Sequence, residues 1–218
     1  MRYTGVAIAV VLLLAGACSS HKQQAVALSG FDSGERTLIM KGAPDSPMRV
    51  LQITSHDDSL VLRSKSKNLP PGISPAVLRR LINRMYATVT DSATRGVGIA
   101  APQVGVLKRI IWVQRLDKEN QPFEVYFNPE ITEFSEAKQD VPEGCLSVPD
   151  YWAVTTDRSY AVTVRYLDST WTQHQETVEG FTAAIFQHET DHLDGTLFID
   201  HEKKELESGT RNEKQPDN

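Results

Sequence analysis

The strongest chemical signal in the chain is the pentapeptide His188-Glu189-Thr190-Asp191-His192. Histidines four residues apart stack on one face of a helix, so both imidazoles can reach one metal ion. Glu189 sits one residue round from His188, where it can touch a water at that ion without ligating it. Phe181, Ala184 and Ile185 continue the same face and would wall the ion with apolar surface, which strengthens its electrostatic pull. The competing reading is a chance pairing of two histidines. At ordinary composition this pentapeptide arises in under about one chain in a hundred of this length, so a metal site is the reading adopted.

A catalytic site usually takes three protein ligands and a water, so two imidazoles are not enough. The sequence leaves the third ligand open. The position three beyond Gly195, where one class of metalloproteases carries a histidine, is Phe198. Glu205, Glu207 and Glu213 lie in a polar tail. Cys145 is the other strong ligand, within Glu143-Gly144-Cys145-Leu146-Ser147. A lone cysteine is commonly a buried core thiol, but this one lies in a Gly- and Pro-bounded segment that a loop or strand end could aim at a site. His21, His56, His174 and His201 have no partner spacing and read as surface residues.

A third stretch, Gly96-Val97-Gly98-Ile99-Ala100-Ala101-Pro102-Gln103-Val104-Gly105, contains an imperfect dinucleotide fingerprint. It follows a helix instead of a strand, and Pro102 interrupts the helix it would have to start. It reads as a tight loop whose small residues allow close backbone approach. Gln103 either presents its amide into a cleft or is a solvated loop residue, and composition favours the solvated reading.

These residues need elements to hold them. Ser74-Pro75 opens a helix, with Ser as N-cap and Pro at the first position. Val77, Leu78, Leu81, Ile82, Met85 and Val89 form its apolar face, and Arg79, Arg80, Asn83 and Arg84 its polar one. Arg109–Gln114, Phe123–Phe127, Ala161–Tyr166 and Thr172–Val178 read as strands bounded by Asn-Pro, Pro or Asp-Ser turns. A last helix runs over Phe181–Leu193 and stops near Gly195. Helix, strands, then helix predicts an α+β fold. Its sheets are largely antiparallel and packed around a C-terminal metal-binding helix, with an N-terminal helix alongside. The catalytic unit is expected over 49–201, after a linker or extension at 19–48 and before a polar, disordered tail at 202–218.

With 40% hydrophobic residues the 218-residue chain can build a core. A net charge of −5 without a basic stripe argues against nucleic-acid binding, and two cysteines exclude a disulfide-rich scaffold. Arg2 precedes an apolar run of 12 residues, Val6 to Ala17, short for a bilayer span and suited to a secretory signal. Residues 1–18 therefore read as a signal peptide. Ala15-Gly16-Ala17-Cys18 is similar to a lipoprotein cleavage site, which would lipidate Cys18 and attach the chain to a membrane facing the periplasm. The alternatives are a plain signal, an uncleaved anchor, or a cytoplasmic protein in which Cys18 is incidental.

Taken together, Gly96 to Gln103, Glu143 to Ser147 and Gln187-His188-Glu189-Thr190-Asp191-His192-Leu193-Asp194-Gly195 resemble the three motifs of the peptide deformylase family, in order. The resemblance runs from about Val50 to Asp200 and includes Asn128-Pro129 and Gly180. It implies that Cys145, His188 and His192 ligate one divalent metal, Fe2+ in cells, with Zn2+, Ni2+ and Co2+ also suiting the donors. It implies hydrolysis of the N-formyl group of formyl-methionine, on peptides or nascent protein N-termini, releasing formate. Glu189 would move the proton, while the Gln103 amide and the Leu146 N–H would receive charge on the formyl oxygen. Val97, Val141, Phe181, Ala184 and Ile185 match the family's methionine pocket, and backbone groups of Gly98 and Ile99 would hold the peptide like an added strand. A Glu143–Arg158 ion pair is also expected. Trp152 stands where many members carry a peptide-contacting Arg, so preference beyond methionine is expected to differ. Two other readings remain open here: an H-E-x-x-H endopeptidase with another third ligand, and an exported lipoprotein that binds formyl peptides or metal without turnover. The oligomeric state is not readable from the sequence.

Overall fold

Among the described residues, Asp32 starts the first helix, α1 (Ser33–Met40), by a reciprocal cap. Its carboxylate accepts the Glu35 N–H at 2.8 Å, and the Glu35 carboxylate accepts the Asp32 N–H at 3.0 Å. The computed structural model describes residues 30–93 and 95–209; the Val6–Ala17 run, Cys18 and His21 lie outside them. From residue 30 to 48 the chain is not the loose extension expected from its polarity. Phe31, Ile39 and Met48 are buried in the core of the long helix α3 (Pro75–Thr90). Arg84, expected on the solvated face of α3, is buried as well. Its guanidinium donates to the carbonyls of Leu38, Ile39 and Ser46 at 3.0 to 3.1 Å, satisfying acceptors at the end of α1. Pro75 does open α3, but the Ser74 side chain makes no capping bond. Between them, α2 (His56–Leu62) is capped by Ser55 and tied by Arg49 to Asp58 at 2.7 Å.

Seven strands follow: β1 (Gly98–Ala100), β2 (Ile110–Gln114), β3 (Phe123–Phe134), β4 (Lys138–Cys145), β5 (Val148–Ser159), β6 (Ala161–Leu167) and β7 (Gln173–Glu179). A 3-10 turn, Ala101–Val104, follows β1. The large sheet has the order β1-β2-β3-β6-β7, and β4 and β5 form a separate hairpin. Pairing between named strands is antiparallel throughout. Alternation sends Ile99, Ile110 and Phe127 to the α3 face, and Ala100, Ile111, Val113 and Tyr126 to the face of helix α4 (Gly180–Leu193). The β1–β3 part of the sheet is thus packed on both sides, with α4 against its first strands.

Some boundaries move for local reasons. The strand expected to stop at Phe127 continues to Phe134. Asn128 takes φ +50, the register shifts there, and its side chain pairs with the backbone of Leu69 at 2.7 and 3.2 Å. The β4–β5 hairpin was masked by Pro142, Gly144, Pro149 and Asp150, which punctuate the sequence like a loop. The tail expected from residue 202 is the helix α5 (Phe198–Ser208), whose Glu205 carboxylate accepts the N–H groups of Thr156 and Asp157 at 2.7 and 3.0 Å. Residues 210–218 lie outside the described residues. Among the described residues no helix is long and apolar enough to cross a membrane.

Candidate metal centre

Cys145 ends β4, where the hairpin turns, and His188 and His192 stand one helical turn apart on α4. One ligand atom from each lies within 4.8 Å of the others, a group that could hold a metal ion. Cys145 Sγ is 3.2 Å from His192 Nε2. Of the third ligands considered from sequence, only Cys145 joins the histidines. Glu205 is committed to the β5 backbone, Phe198 stacks on the His188 ring, Glu207 is exposed and Glu213 is outside the described residues.

The electrostatics suit a cation. Burial alone would raise the Cys145 thiol, but His192 and His188 hold it well below its ordinary value, in the thiolate form that binds metals. His188 Nδ1 meets Glu143 Oε2 at 2.6 Å, which leaves Nε2 as the other ring nitrogen for an ion. Glu143 in turn binds Arg158 at 2.7 and 3.0 Å and also accepts from the Thr155 hydroxyl. Burial would raise the Glu143 carboxyl, yet His188 and Arg158 keep it far below the usual carboxylate range. A register shift between Gln139 and Val141 puts an extra β5 residue opposite β4, and Arg158 faces Glu143 beyond that bulge. One thiolate and two imidazoles, the first of them oriented by a carboxylate, fit a divalent ion.

Glu189 is 4% exposed, and its Oε2 has no hydrogen-bond partner. Burial pushes its carboxyl up to about 7, against the pull of His188 and His192. The backbone of Gly98 lies so close that a Cβ there would stand 2.4 Å from Glu189 Oε1. This is the close approach for which the Gly96–Gly105 stretch is built. Gln103 is not the solvated residue that composition favours; it is 2% exposed. Its Oε1 accepts the Ala100 N–H at 2.8 Å, which turns Nε2 toward Ser147 Oγ at 3.3 Å and Cys145 Sγ at 3.5 Å.

A cavity of about 950 Å³ opens over these groups and is lined by Gln103, Cys145, Leu146, His188 and Glu189. Val141, Ala184 and Ile185 are its buried walls, with Gly98 beside them; Val97, Phe181 and Trp152 are exposed at its surface. The Ile99 side chain does not reach it and packs into the α3 core, so only its backbone is available. β1 is the end strand of its sheet.

Sequence reasoning missed three contributors. Ser147 is fully buried, donates its N–H to Cys145 Sγ at 3.4 Å and receives the Gln103 amide. Its only signal was its place two residues after the cysteine. Asp191 binds Arg158 at 2.6 Å. His201, expected at the surface, is held between Asp157 and Asp191 at 2.9 Å each. His174 pairs with Asp168 and is exposed, and His56 is exposed at the start of α2.

The description "Polypeptide deformylase" belongs to the family model that matches residues 50–207. A peptide deformylase of Desulforudis audaxviator is 43% identical over 153 residues, covering 70% of this chain and 94% of that protein. One from Mesorhizobium japonicum is 41% identical over 145 residues, covering 66% and 80%. Among solved structures, a Met-Ala-Ser-bound class I type b peptide deformylase from Acinetobacter baumannii aligns with a TM-score of 0.63 at 34% identity, covering 72% of this chain and 99% of that one. The Thermotoga maritima peptide deformylase aligns at 0.61 and 31% identity, covering 71% and 97%.

The close approach at Gly98 gives a test. Gly98→Ala is expected to push the Glu189 carboxylate back by about 1 Å, since ordinary contact begins at 3.4 Å and the added carbon would stand at 2.4 Å. Turnover should fall about 10²-fold, the cost of a misplacement of that size, with metal content unchanged. Wild-type turnover in this variant would mean that Glu189 does not need its present position.

Proposed function

This chain belongs to the polypeptide deformylase family, and from that premise we propose that Cys145, His188 and His192 hold its metal ion while Glu189 carries the proton. The protein is a metal-dependent hydrolase that removes the N-formyl group from formyl-methionine at the N-termini of nascent peptides, releasing formate. The observation that carries the residue roles is the approach of one sulfur and two imidazole nitrogens to within 4.8 Å, with a buried carboxylate alongside whose Oε2 has no partner.

A divalent ion bound there supplies Lewis-acid activation of a water. Glu189 accepts the proton of the attacking water and returns it to the amine as the C–N bond of the formamide breaks. Negative charge grows on the formyl oxygen in the transition state. The Gln103 amide, aimed by its bond from Ala100, and the backbone N–H of Leu146 receive it. Family likeness supports Fe2+ as the native ion, and the donor set also suits Zn2+, Ni2+ or Co2+.

A formyl group is too small to carry selectivity, so the neighbouring residues must. Val141, Ala184 and Ile185 form an apolar wall for the methionine side chain, with Val97 and Phe181 at its mouth. The open edge of β1 at Gly98 and Ile99 supports binding of the peptide backbone as an added strand. Trp152, opposite Gly144 in the hairpin register and 54% exposed, offers an aromatic face to the residues after methionine. We also read residues 1–18 as an export signal with lipidated Cys18, which would hold the enzyme at a membrane surface facing the periplasm, where its substrates would be secreted formyl peptides instead of nascent chains. The apolar Val6–Ala17 run and the small residues before Cys18 support this.

Glu189→Ala is expected to retain metal and lose formate release by about 10²–10⁴-fold, whereas Cys145→Ser should lose the metal itself. A Cys145→Ser protein with full metal occupancy would point to a different third ligand. For Trp152→Ala, kcat/KM on formyl-Met peptides with an aromatic third residue should drop by about 3–10-fold, the worth of one stacking contact, and stay level when that residue is Ser. Equal loss on both would remove Trp152 from recognition. Fractionation with N-terminal analysis checks the export reading. A membrane-bound chain starting at Cys18 is expected, and an intact cytosolic N-terminus would overturn it.

A further inference from the structure

A continuous line of charged groups leaves the candidate metal centre and ends on α5. It begins with His188 Nδ1 against Glu143 at 2.6 Å, followed by the two Glu143–Arg158 contacts at 2.7 and 3.0 Å. Arg158 Nη1 then donates to Asp191 Oδ2 at 2.6 Å. The same Asp191 oxygen lies 2.9 Å from His201 Nε2, and His201 Nδ1 lies 2.9 Å from Asp157 Oδ2. His201 does not line the 950 Å³ cavity, and its two ring nitrogens meet Asp157 and Asp191, not a candidate metal ligand.

Both ring nitrogens of His201 face carboxylate oxygens, which when ionised can only accept. A neutral imidazole has one N–H, so satisfying both contacts requires the imidazolium. The hydrogen bonds to Asp157 and Asp191 accordingly raise its pKa to about 9, against the cost of burial. The charged groups facing it are Asp157 and Arg158 from β5, Asp191 from α4, and the carboxylate of Glu205 on its own helix beside Asp157. A second cavity of about 440 Å³, on the other side of α4 from the metal centre, brings Arg109, Lys138 and Asp194 to the same place and connects the imidazole to solvent.

We infer that protonated His201 is a positioning residue for His188, acting through Asp191, Arg158 and Glu143. Its charge offsets that of Asp191, so the guanidinium of Arg158 stays committed to Glu143, and Glu143 holds the His188 ring at a fixed angle. When His201 loses its proton, Asp191 has Arg158 as its one remaining cation in this line and competes with Glu143 for it. This rests on the reading that His188 holds the metal. The sign follows from the raised pKa. The contribution is complete below the ordinary histidine value of 6.5 and disappears as pH rises through about 9.

The test uses the metal-loaded full chain and reads two quantities from about pH 6 to about pH 10: the rate of metal loss to a chelator, and kcat/KM for formyl-Met-Ala-Ser. The wild type should release metal faster as pH passes about 9. His201→Gln should release it about 3–10-fold faster already at neutral pH, less than the roughly 10–100-fold typical of a direct ligand partner, with no further break near pH 9. His201→Arg keeps the charge and should remove the break while holding metal like the wild type. Asp157→Asn removes one carboxylate from His201 and should move the break to lower pH. A His201→Gln protein with wild-type metal loss and an unaltered break would overturn the inference. If that variant does not fold, the Arg and Asn variants decide it: an unmoved break in both would equally overturn it. Metal-loss profiles read His201 even if formyl peptides are not hydrolysed, so failure of the proposed function and failure of this inference are distinguishable.

Discussion

The site depends on a buried carboxylate that orients one imidazole of the candidate metal centre. Glu143 is buried in the β4–β5 hairpin and held by Arg158, His188 and Thr155. A two-stranded hairpin is marginal by itself, yet this one carries Cys145 at its tip. Glu143 and Arg158 reach across to His188 and Asp191 on α4, which ties the cysteine's hairpin to the histidines' helix. Taking away one partner of such a buried pair leaves an unpaired charge and costs about 3–5 kcal/mol. The hairpin is also seated from outside, where Val148 and Ala153 pack on Leu197 and Phe198 and Glu205 caps two β5 amides. Cys145 is thus brought to the two histidines by tertiary contacts from several elements.

Around that frame the groups lining the cavity are held by their own hydrogen bonds. The Gln103 amide cannot swing to solvent without giving up the Ala100 N–H. Ser147 and Gln103 surround the Cys145 sulfur with donors, which stabilises the thiolate along with the imidazoles. Glu189 is one of the exceptions, among the described residues, to the rule that buried polar atoms are paired. Its unpartnered oxygen is costly in a folded protein, and such groups persist where chemistry uses them.

The sheet places an open backbone edge beside the candidate metal centre. β1 is only three residues long and lies at the edge of the sheet, with Glu189 against Gly98 and the cavity beside it. Any side chain at Gly98 would occupy the place of the carboxylate. Edge backbone, apolar wall and the Glu189 carboxylate therefore line one cavity, the juxtaposition on which the proposed orientation of a bound peptide rests.

What could be read locally was read from local physics. Histidines at i and i+4 announce a shared helical face wherever they occur, and the apolar spacing of α3 and the β-branched runs of β2, β6 and β7 led to antiparallel α+β architecture. The features that local reading missed involve partners far apart in the chain. Arg84 looked solvated because its acceptors, the carbonyls of Leu38 and Ile39, lie about 45 residues away. Polarity hid α1 for the same reason, since Phe31 and Ile39 find their core only when α3 docks. Gln103 looked like a loop residue until Cys145 and Ser147, 42 and 44 residues on, were folded against it. Composition and periodicity describe what a residue's immediate neighbours do. Which distant charge neutralises another, as with Asp191 between Arg158 and His201, is decided only when folding removes the water that would otherwise have solvated them.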